Sequence, residues 1–275
     1  MPSVELDPVS QNNSWQFLPA ELLKDIASRL VKQTPRSADL AGVRQTCKLW
    51  RNAFSEVVQA IHMTEDCGAS STRSAGFLES YTQLKRLYNL PSSQLSSLKA
   101  KLPLETLTLT GTATDSDIAV LAGITTLQQL HFLGPITLTT ERFCMLGCQP
   151  QLTALAFQNV LFPRTPYGQH ACKVAQFPNL QSLELLMSPP LTRNGLESGA
   201  AGRQFLSAMK SLLSLTTDAG AVTQVLLETL DKMPALKQVH LWGLPSALEQ
   251  WVQWANPKCV HVYLQGHLVC PYPAV

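Results

Sequence analysis

One short apolar pattern recurs along most of this 275-residue sequence, and it constrains the fold more than any other feature. In a clear copy, two apolar residues stand three positions apart and a third follows two positions later. In the copies led by Leu84 and Leu212 the third residue is polar, at Asn89 and Thr217. Clear copies are led by Leu104, Leu127, Leu152, Leu180 and Leu236. Weaker copies are led by Val58, Leu84, Leu212 and Cys259. Successive leading residues are 20 to 32 positions apart, and internal repeats of roughly 20–29 residues are typical of stacked repeat architectures.

The pattern predicts a short strand in each repeat, followed by a return segment. Alternate side chains of a strand point to opposite faces, so the apolar residues of each copy face inward together. In the copy led by Leu84 the third inward place falls on Asn89, and the last copy is Cys259, Val262 and Leu264. Helical return segments are predicted at residues 115–121, 139–146, 221–230 and 247–254. Because no repeat can close its own core, the repeats must stack, and we predict an α/β solenoid with parallel strands.

The amino-terminal part of the chain, residues 15–54, has a different, helical pattern. A first helix beginning near Pro19 carries apolar residues at intervals of three and four, namely Leu22, Leu23, Ile26, Ala27 and Leu30. A second stretch opens at Asp39, and its local periodicity predicts one helix from the positions of Leu40, Val43, Cys47, Trp50 and Phe54. About forty residues bury too little surface to be stable alone, so we expect these helices to require a partner.

These amino-terminal residues resemble the F-box motif. The match consists of Leu-Pro-x-Glu-Leu-Leu at residues 18–23 and Cys-Lys-x-Trp-Arg at residues 47–51. The family breaks the second helical stretch into two helices, which we adopt here, although the connection at residues 31–38 is longer than usual. Together with the repeats, the resemblance covers residues 15–266, where the chain is similar to F-box leucine-rich-repeat proteins. The Asn or Cys that this family carries after the third apolar position is mostly absent.

The resemblance implies both a domain order and a function. We expect a flexible segment at residues 1–14, a small all-α F-box at residues 15–54 and a leucine-rich-repeat horseshoe at residues 55–275. The implied function is that of a non-catalytic substrate receptor, which binds the Skp adaptor and cullin of a ubiquitin ligase and holds a protein substrate. The implied adaptor-binding residues are Leu18, Pro19, Leu22, Leu23, Ile26, Leu40, Val43 and Trp50. The alternative is a repeat scaffold without a role in ubiquitin transfer.

The repeats also predict where a protein substrate binds. The side chain after the second apolar residue points away from the core, and stacking aligns these side chains across one face. This row consists of Tyr88, Thr108, His131, Ala156, Glu184, Thr216, His240 and Tyr263. The predicted substrate-binding residues within it are Tyr88, His131, Glu184, His240 and Tyr263. The lengthened repeat at residues 187–202 is either a tolerated insertion, which is the simpler interpretation, or an alternative binding segment.

Charge and composition argue against several other classes of protein. The formal net charge is +2 and no run concentrates Lys and Arg, which disfavours binding to nucleic acid. No apolar run approaches the ~18 residues of a membrane span, and residues 1–13 lack the features of a secretory signal. The seven cysteines are irregularly spaced, which favours reduced thiols over a disulfide framework. We therefore expect a protein of the cytoplasm or nucleus that has no membrane partner.

Motifs for catalysis or metal binding are lacking in the sequence. None of the six histidines forms an HExxH or HxxxH pair, and Cys144 and Cys148 have no second ligand pair nearby, whereas structural zinc takes four ligands. The sequence contains no GxSxG elbow, no phosphate-binding loop and no GxGxxG motif. We therefore expect neither an enzyme nor a protein with a bound cofactor.

Overall fold

The computed structural model describes residues 19–30, 48–63, 78, 80–98, 102–137, 145–161, 177–186, 209–218, 224–243 and 248–270. They form a mixed α/β protein around an open ten-stranded sheet whose strands follow one another in chain order. Strands β1 to β10 are Ala60–His62, Arg86–Pro91, Thr106–Thr110, Gln129–Thr137, Ala154–Leu161, Ser182–Leu185, Ser214–Asp218, Gln238–Trp242, His261–Leu264 and His267–Cys270. Neighbours from β1 to β9 are parallel, and β10 runs antiparallel to β9.

Helices precede the sheet and connect several of its strands. They are α1 (Ala20–Leu30), α2 (Lys48–Val57), α3 (Asp115–Ala122), α4 (Gln224–Leu230) and α5 (Leu248–Ala255), with 3-10 turns at Ser92–Ser97 and Asn256–Lys258. Helices α3, α4 and α5 confirm the return helices predicted near residues 115–121, 221–230 and 247–254. The fourth prediction, at residues 139–146, lies mostly outside the described residues. No helix in the described ranges has the length and apolar character needed to cross a membrane.

The inward residues of the repeated pattern form one continuous core. The middle residue of each copy pairs in register with the middle residue of the next copy, from Ile61 through Leu107 and Leu183 to Val262. Each of these middle residues is at most 2% exposed. Phe132 and Phe157, the third residues of adjacent copies, stack with their ring centroids 5.3 Å apart. The predicted inward register is confirmed for these strands.

A turn of the same form precedes several of the strands. The backbone N–H of the leading leucine donates a hydrogen bond to the carbonyl three residues earlier, as from Leu180 to Phe177 at 3.3 Å. The residue that supplies this carbonyl is buried at each such turn, and the set comprises Tyr81, Ile124, Gln149, Phe177, Met209 and Met233. Side chains also link adjacent turns, because Asn179 donates to the Pro150 carbonyl and Ser211 donates to the Pro178 carbonyl.

Two inward positions differ from the sequence prediction. In β2 the third inward residue is Leu90, because Asn89 adopts a left-handed backbone with φ 57° and the register with β3 shifts by one residue there. In β9 the leading residue is Val260, which is 6% exposed, whereas Cys259 is exposed and has φ 56°. In β2 the residue with positive φ breaks the two-residue alternation that predicted the third inward place. In β9 the residue with positive φ stands one position before the observed inward residue.

Gly134 and Gly111 bring two backbone segments unusually close together. A Cβ atom added to Gly134 would clash with the carbonyl oxygen of Gly111. Gly134 lies where the register between β4 and β5 shifts, between Phe132 and Pro135. Glycine is therefore required at position 134 by the approach of the neighbouring backbone.

The described part of the predicted F-box consists of α1 and α2. These two helices pack against each other, and Leu23 and Ala27 of α1 are buried. Ala27 and Phe54 belong to the same apolar core as Ile61 of the sheet. Residues 31–47 lie outside the described residues, so a separate all-α F-box and its boundaries stay a prediction.

Candidate functional site

The strand register places the predicted row of outward side chains on one face of the sheet. From β3 to β9, the residues Thr108, His131, Ala156, Glu184, Thr216, His240 and Tyr263 pair successively with one another. Tyr88 on β2 pairs with His62 on β1 and stands just before the bulge at Asn89. The predicted alignment is confirmed from β3 to β9, and binding of a substrate to it stays a prediction.

Each end of this row carries a stacked pair of one histidine and one tyrosine. The rings of His62 and Tyr88 have centroids 4.5 Å apart and planes 18° apart. The rings of His240 and Tyr263 have centroids 4.6 Å apart and planes 10° apart. Stacking holds these side chains in one orientation, which lowers the conformational entropy that a binding partner would otherwise have to remove.

His62 was missed in the sequence-based row. The pattern contained the necessary signal, because His62 directly follows the inward Ile61 just as Tyr88 follows Leu87. The structure extends the row by one strand at this end.

The charge of Glu184 affects the pKa of His131 across the middle of the row. They lie on β4 and β6, and Ala156 on β5 separates them. Burial lowers the pKa of His131 below its ordinary value of 6.5, and the negative charge of Glu184 opposes this effect by raising it. The imidazole is therefore mainly neutral at pH 7, so it does not cancel the charge of the Glu184 carboxylate.

His240 is a second neutral imidazole in the row at pH 7. Burial lowers its pKa below 6.5, in a position where its ring is stacked on Tyr263. Neutral imidazoles can donate one hydrogen bond and accept another. The row therefore offers hydrogen bonds and aromatic surface, with one carboxylate at Glu184.

Exposed apolar side chains adjoin the row at its carboxy-terminal end. Trp242 is 48% exposed and lies on β8 two residues after His240, so both side chains are on the same face. Leu268 is 47% exposed and pairs directly with Tyr263 across the antiparallel β9–β10 ladder. Sequence reasoning missed both residues; the alternation along β8 could have identified Trp242, whereas Leu268 requires knowledge of the hairpin.

Some apolar residues of helix α1 face the core of the chain and others face solvent. Leu23 is 1% exposed and packs in the chain's own core, whereas Leu22 is 44% exposed and Leu30 is 66% exposed. Pro19 is exposed and Ile26 is half-buried. Of the implied adaptor-binding residues, Leu23 thus serves the internal core, and Pro19, Leu22 and Ile26 remain available for a partner.

The other implied adaptor-binding residues are not described to the same extent. Leu18, Leu40 and Val43 lie outside the described residues. Trp50 lies within helix α2, but its side chain is not among those described. Their role therefore stays a prediction.

The described residues contain no group of three His, Cys, Asp or Glu side chains arranged to hold a metal ion. Cys148 is an exposed free thiol, and Cys144 lies outside the described residues.

Comparison with known proteins gives no match to a protein-family model and no match to a curated protein sequence.

Proposed function

We propose that this protein is the substrate-recognition subunit of a Skp-cullin-F-box ubiquitin ligase. In this proposal α1 contributes to an F-box that docks on the Skp adaptor, and the strands belong to a leucine-rich-repeat horseshoe that binds a protein substrate. The observation that carries the proposal is the combination of an exposed apolar stripe on α1 with an ordered row of outward side chains on nine parallel strands.

The repeat geometry supports the horseshoe. Stacked leucine-rich units require one strand per repeat and apolar residues in register between strands. They also share a common turn before the leading leucine. Neighbouring strands are about 4.8 Å apart, whereas returning helices such as α3 and α5 are wider. This difference in width bends a stack of such units toward the strand side.

The exposed leucines of α1 support a partner for the amino-terminal helices. Leu22 and Leu30 leave much of their apolar surface in water while Leu23 anchors the same helix to the core. Burial of one leucine side chain contributes about 1.5–3 kcal/mol, so covering Leu22 and Leu30 would stabilise a complex. Both leucines lie within the segment that resembles the F-box motif, so the Skp adaptor is the proposed partner.

The composition of the sheet face supports a protein substrate. Aromatic and imidazole groups at both ends of the row make directional contacts without a strong electrostatic field. A polyanion would require clustered Lys and Arg, and the outward positions aligned from Thr108 to Tyr263 carry neither. The receptor would act by proximity, raising the local concentration of substrate lysines near a ubiquitin thioester carried by another subunit.

Affinity capture with a surface variant of α1 tests the proposal. Leu22→Asp places a charge among the exposed apolar residues of α1 and should abolish capture of both adaptor and cullin. Ser28→Asp is the matched control, because Ser28 is an exposed residue of the same helix. Retention of the adaptor by a folded Leu22→Asp protein would count decisively against docking through α1.

A repeat scaffold without a ubiquitin-ligase role is the second candidate function. One observation favours it: Ala27 and Phe54 belong to the same apolar core as the sheet, so α1 and α2 also contribute to that core. The scaffold would be captured with adaptor alone or with neither subunit. Co-purification of both adaptor and cullin with the parent protein supports the receptor.

A further inference from the structure

The middle of the sheet face is lined by short side chains. On β5, β6 and β7 the outward residues around Glu184 are Ala154, Ala156, Ser182, Ser214 and Thr216. Each of them is buried or half-buried, with no bulky group at its position. We call this three-strand surface the central depression; it spans about 10 Å across the strands, because adjacent strands are about 4.8 Å apart.

Longer side chains border the central depression on both sides. Gln129 and His131 stand on β4, which pairs with β5. Gln238, His240 and Trp242 stand on β8, which pairs with β7. A side chain that enters from solvent would therefore lie between two sets of longer residues and meet Glu184 on the floor.

The Glu184 carboxylate has no partner of opposite charge among the described residues. No salt bridge or hydrogen bond joins it to another described side chain, in contrast to Glu105, which is paired with Lys85 at 2.8 Å. No Lys or Arg occupies an outward position on β4 to β8. A half-buried carboxylate that lacks a counter-ion among the described residues favours a cationic ligand, because partial desolvation strengthens the attraction.

We infer that the central depression binds an arginine side chain of the protein substrate, with Glu184 as its counter-ion. This inference rests on the proposed binding face and specifies what that face recognises. A planar guanidinium can donate two hydrogen bonds to one carboxylate, and its flat faces can stack against the neighbouring imidazoles. Lysine suits the surface less well, since its ammonium group is more strongly hydrated and pairs at a single point. The short side chains that line the central depression leave room for the long arginine side chain.

A titration with a small arginine probe tests this inference directly. The probe is the tripeptide acetyl-Gly-Arg-Gly-amide, and its neutral analogue contains citrulline, which has nearly the same shape. The measurement is the change in methyl NMR signals of Ala154 and Ala156 on addition of each peptide. The arginine peptide should shift both signals in a saturable way, and the citrulline peptide should bind about tenfold more weakly, the effect of losing a charged hydrogen bond.

Two charge-removing variants complete the experiment. Glu184→Gln keeps the shape of the side chain and should weaken binding of the arginine peptide by about tenfold, as expected for one charged hydrogen bond. Glu105→Gln removes a carboxylate that is already paired with Lys85, and binding should be unchanged. Methyl spectra and thermal unfolding of both variants establish that they fold.

The inference is wrong if citrulline binds as well as arginine, or if a folded Glu184→Gln protein binds the arginine peptide like the parent. Its failure can be told apart from failure of the proposed function, because capture of adaptor and cullin depends on α1 and is measured separately. Glu184→Gln should retain that capture in full.

Discussion

Glu184 and His131 stand two strands apart in one row of the sheet, and the methyl group of Ala156 is the side chain between them. Burial lowers the pKa of the His131 imidazole, and the Glu184 carboxylate counteracts part of that effect. Their coupling gives a measurable test of whether the strands are in the observed register, because a slip of one residue would place the two side chains on opposite faces.

The first prediction concerns the titration of His131. In Glu184→Gln the pKa of His131 should fall further below 6.5, because the opposing negative charge is removed while burial is unchanged. NMR titration of the imidazole signals measures this change. His240 is the control, since burial is the cause of its lowered pKa; its midpoint should be the same in parent and variant. An unchanged His131 midpoint would contradict the observed pairing.

Stability should also depend on pH through these two histidines. Both have a folded-state pKa below the ordinary 6.5, so the unfolded chain binds protons more readily than the folded chain. Their contribution to the free energy of unfolding is therefore complete above pH 6.5 and is lost as the pH falls toward the folded-state pKa. Denaturant unfolding at several pH values between 5 and 7 measures how steeply the free energy of unfolding depends on pH. His131→Asn and His240→Asn should each reduce it, and an unreduced slope in both variants would exclude these residues as its cause.

Truncation of an inward leucine should be costly. Leu107→Ala or Leu183→Ala leaves a cavity beside a fully buried position, and each should lower the free energy of unfolding by roughly 2–5 kcal/mol. Leu268→Ala is the matched control, because Leu268 is 47% exposed, and it should change the free energy by less than about 0.5 kcal/mol. Equal thermal unfolding of Leu107→Ala and the parent would show that the inward register is wrong.

Substitution of Gly134 should destabilise the protein for a different reason. Gly134→Ala would force a methyl group against the backbone of Gly111, so the two segments must separate and their local hydrogen bonds weaken. We expect a lower midpoint of thermal unfolding and a loss of at least about 1 kcal/mol. Gly123→Ala is the control, since Gly123 is exposed and has φ −78°, which alanine adopts easily. If both variants unfolded at the parent temperature, the close backbone approach would not exist in solution.

Loss of the substrate in affinity capture distinguishes between the two binding sites proposed from the sequence. Alanine at His131, Glu184, His240 and Tyr263 should release the substrate in affinity capture while the adaptor is retained. Deletion of residues 187–202 should release it instead if that segment is the site. Retention of substrate by the folded fourfold variant would remove the sheet face from consideration.

The sequence was sufficient for the core and for most of the row, because both follow from regular spacing. Leu107 and Leu183 recur in equivalent positions, and the alternation of a strand places Thr108 and Glu184 on the opposite side. The errors occur where spacing is interrupted. Asn89 inserts an extra residue in a backbone conformation that asparagine tolerates, and no periodic rule indicates that Leu90 then faces inward.

Other features depend on tertiary packing that local spacing does not contain. Leu22 and Leu23 are adjacent and chemically identical, yet Leu22 is largely exposed and Leu23 is buried, because only one direction of α1 meets α2. Leu268 joins the row through an antiparallel hairpin after nine parallel strands. The central depression depends on strand pairing, which places outward residues from separate repeats next to one another.

The chain-order arrangement of the strands has a consequence for how this face can diversify. Each strand of the sheet pairs only with the strands before and after it in sequence, and its outward side chain is carried on a backbone fixed by inward leucines. One outward residue can therefore be exchanged while distant ones keep their positions. A gene encoding such a chain could acquire a new target by successive single substitutions, each changing one contact and leaving the rest of the recognition surface intact.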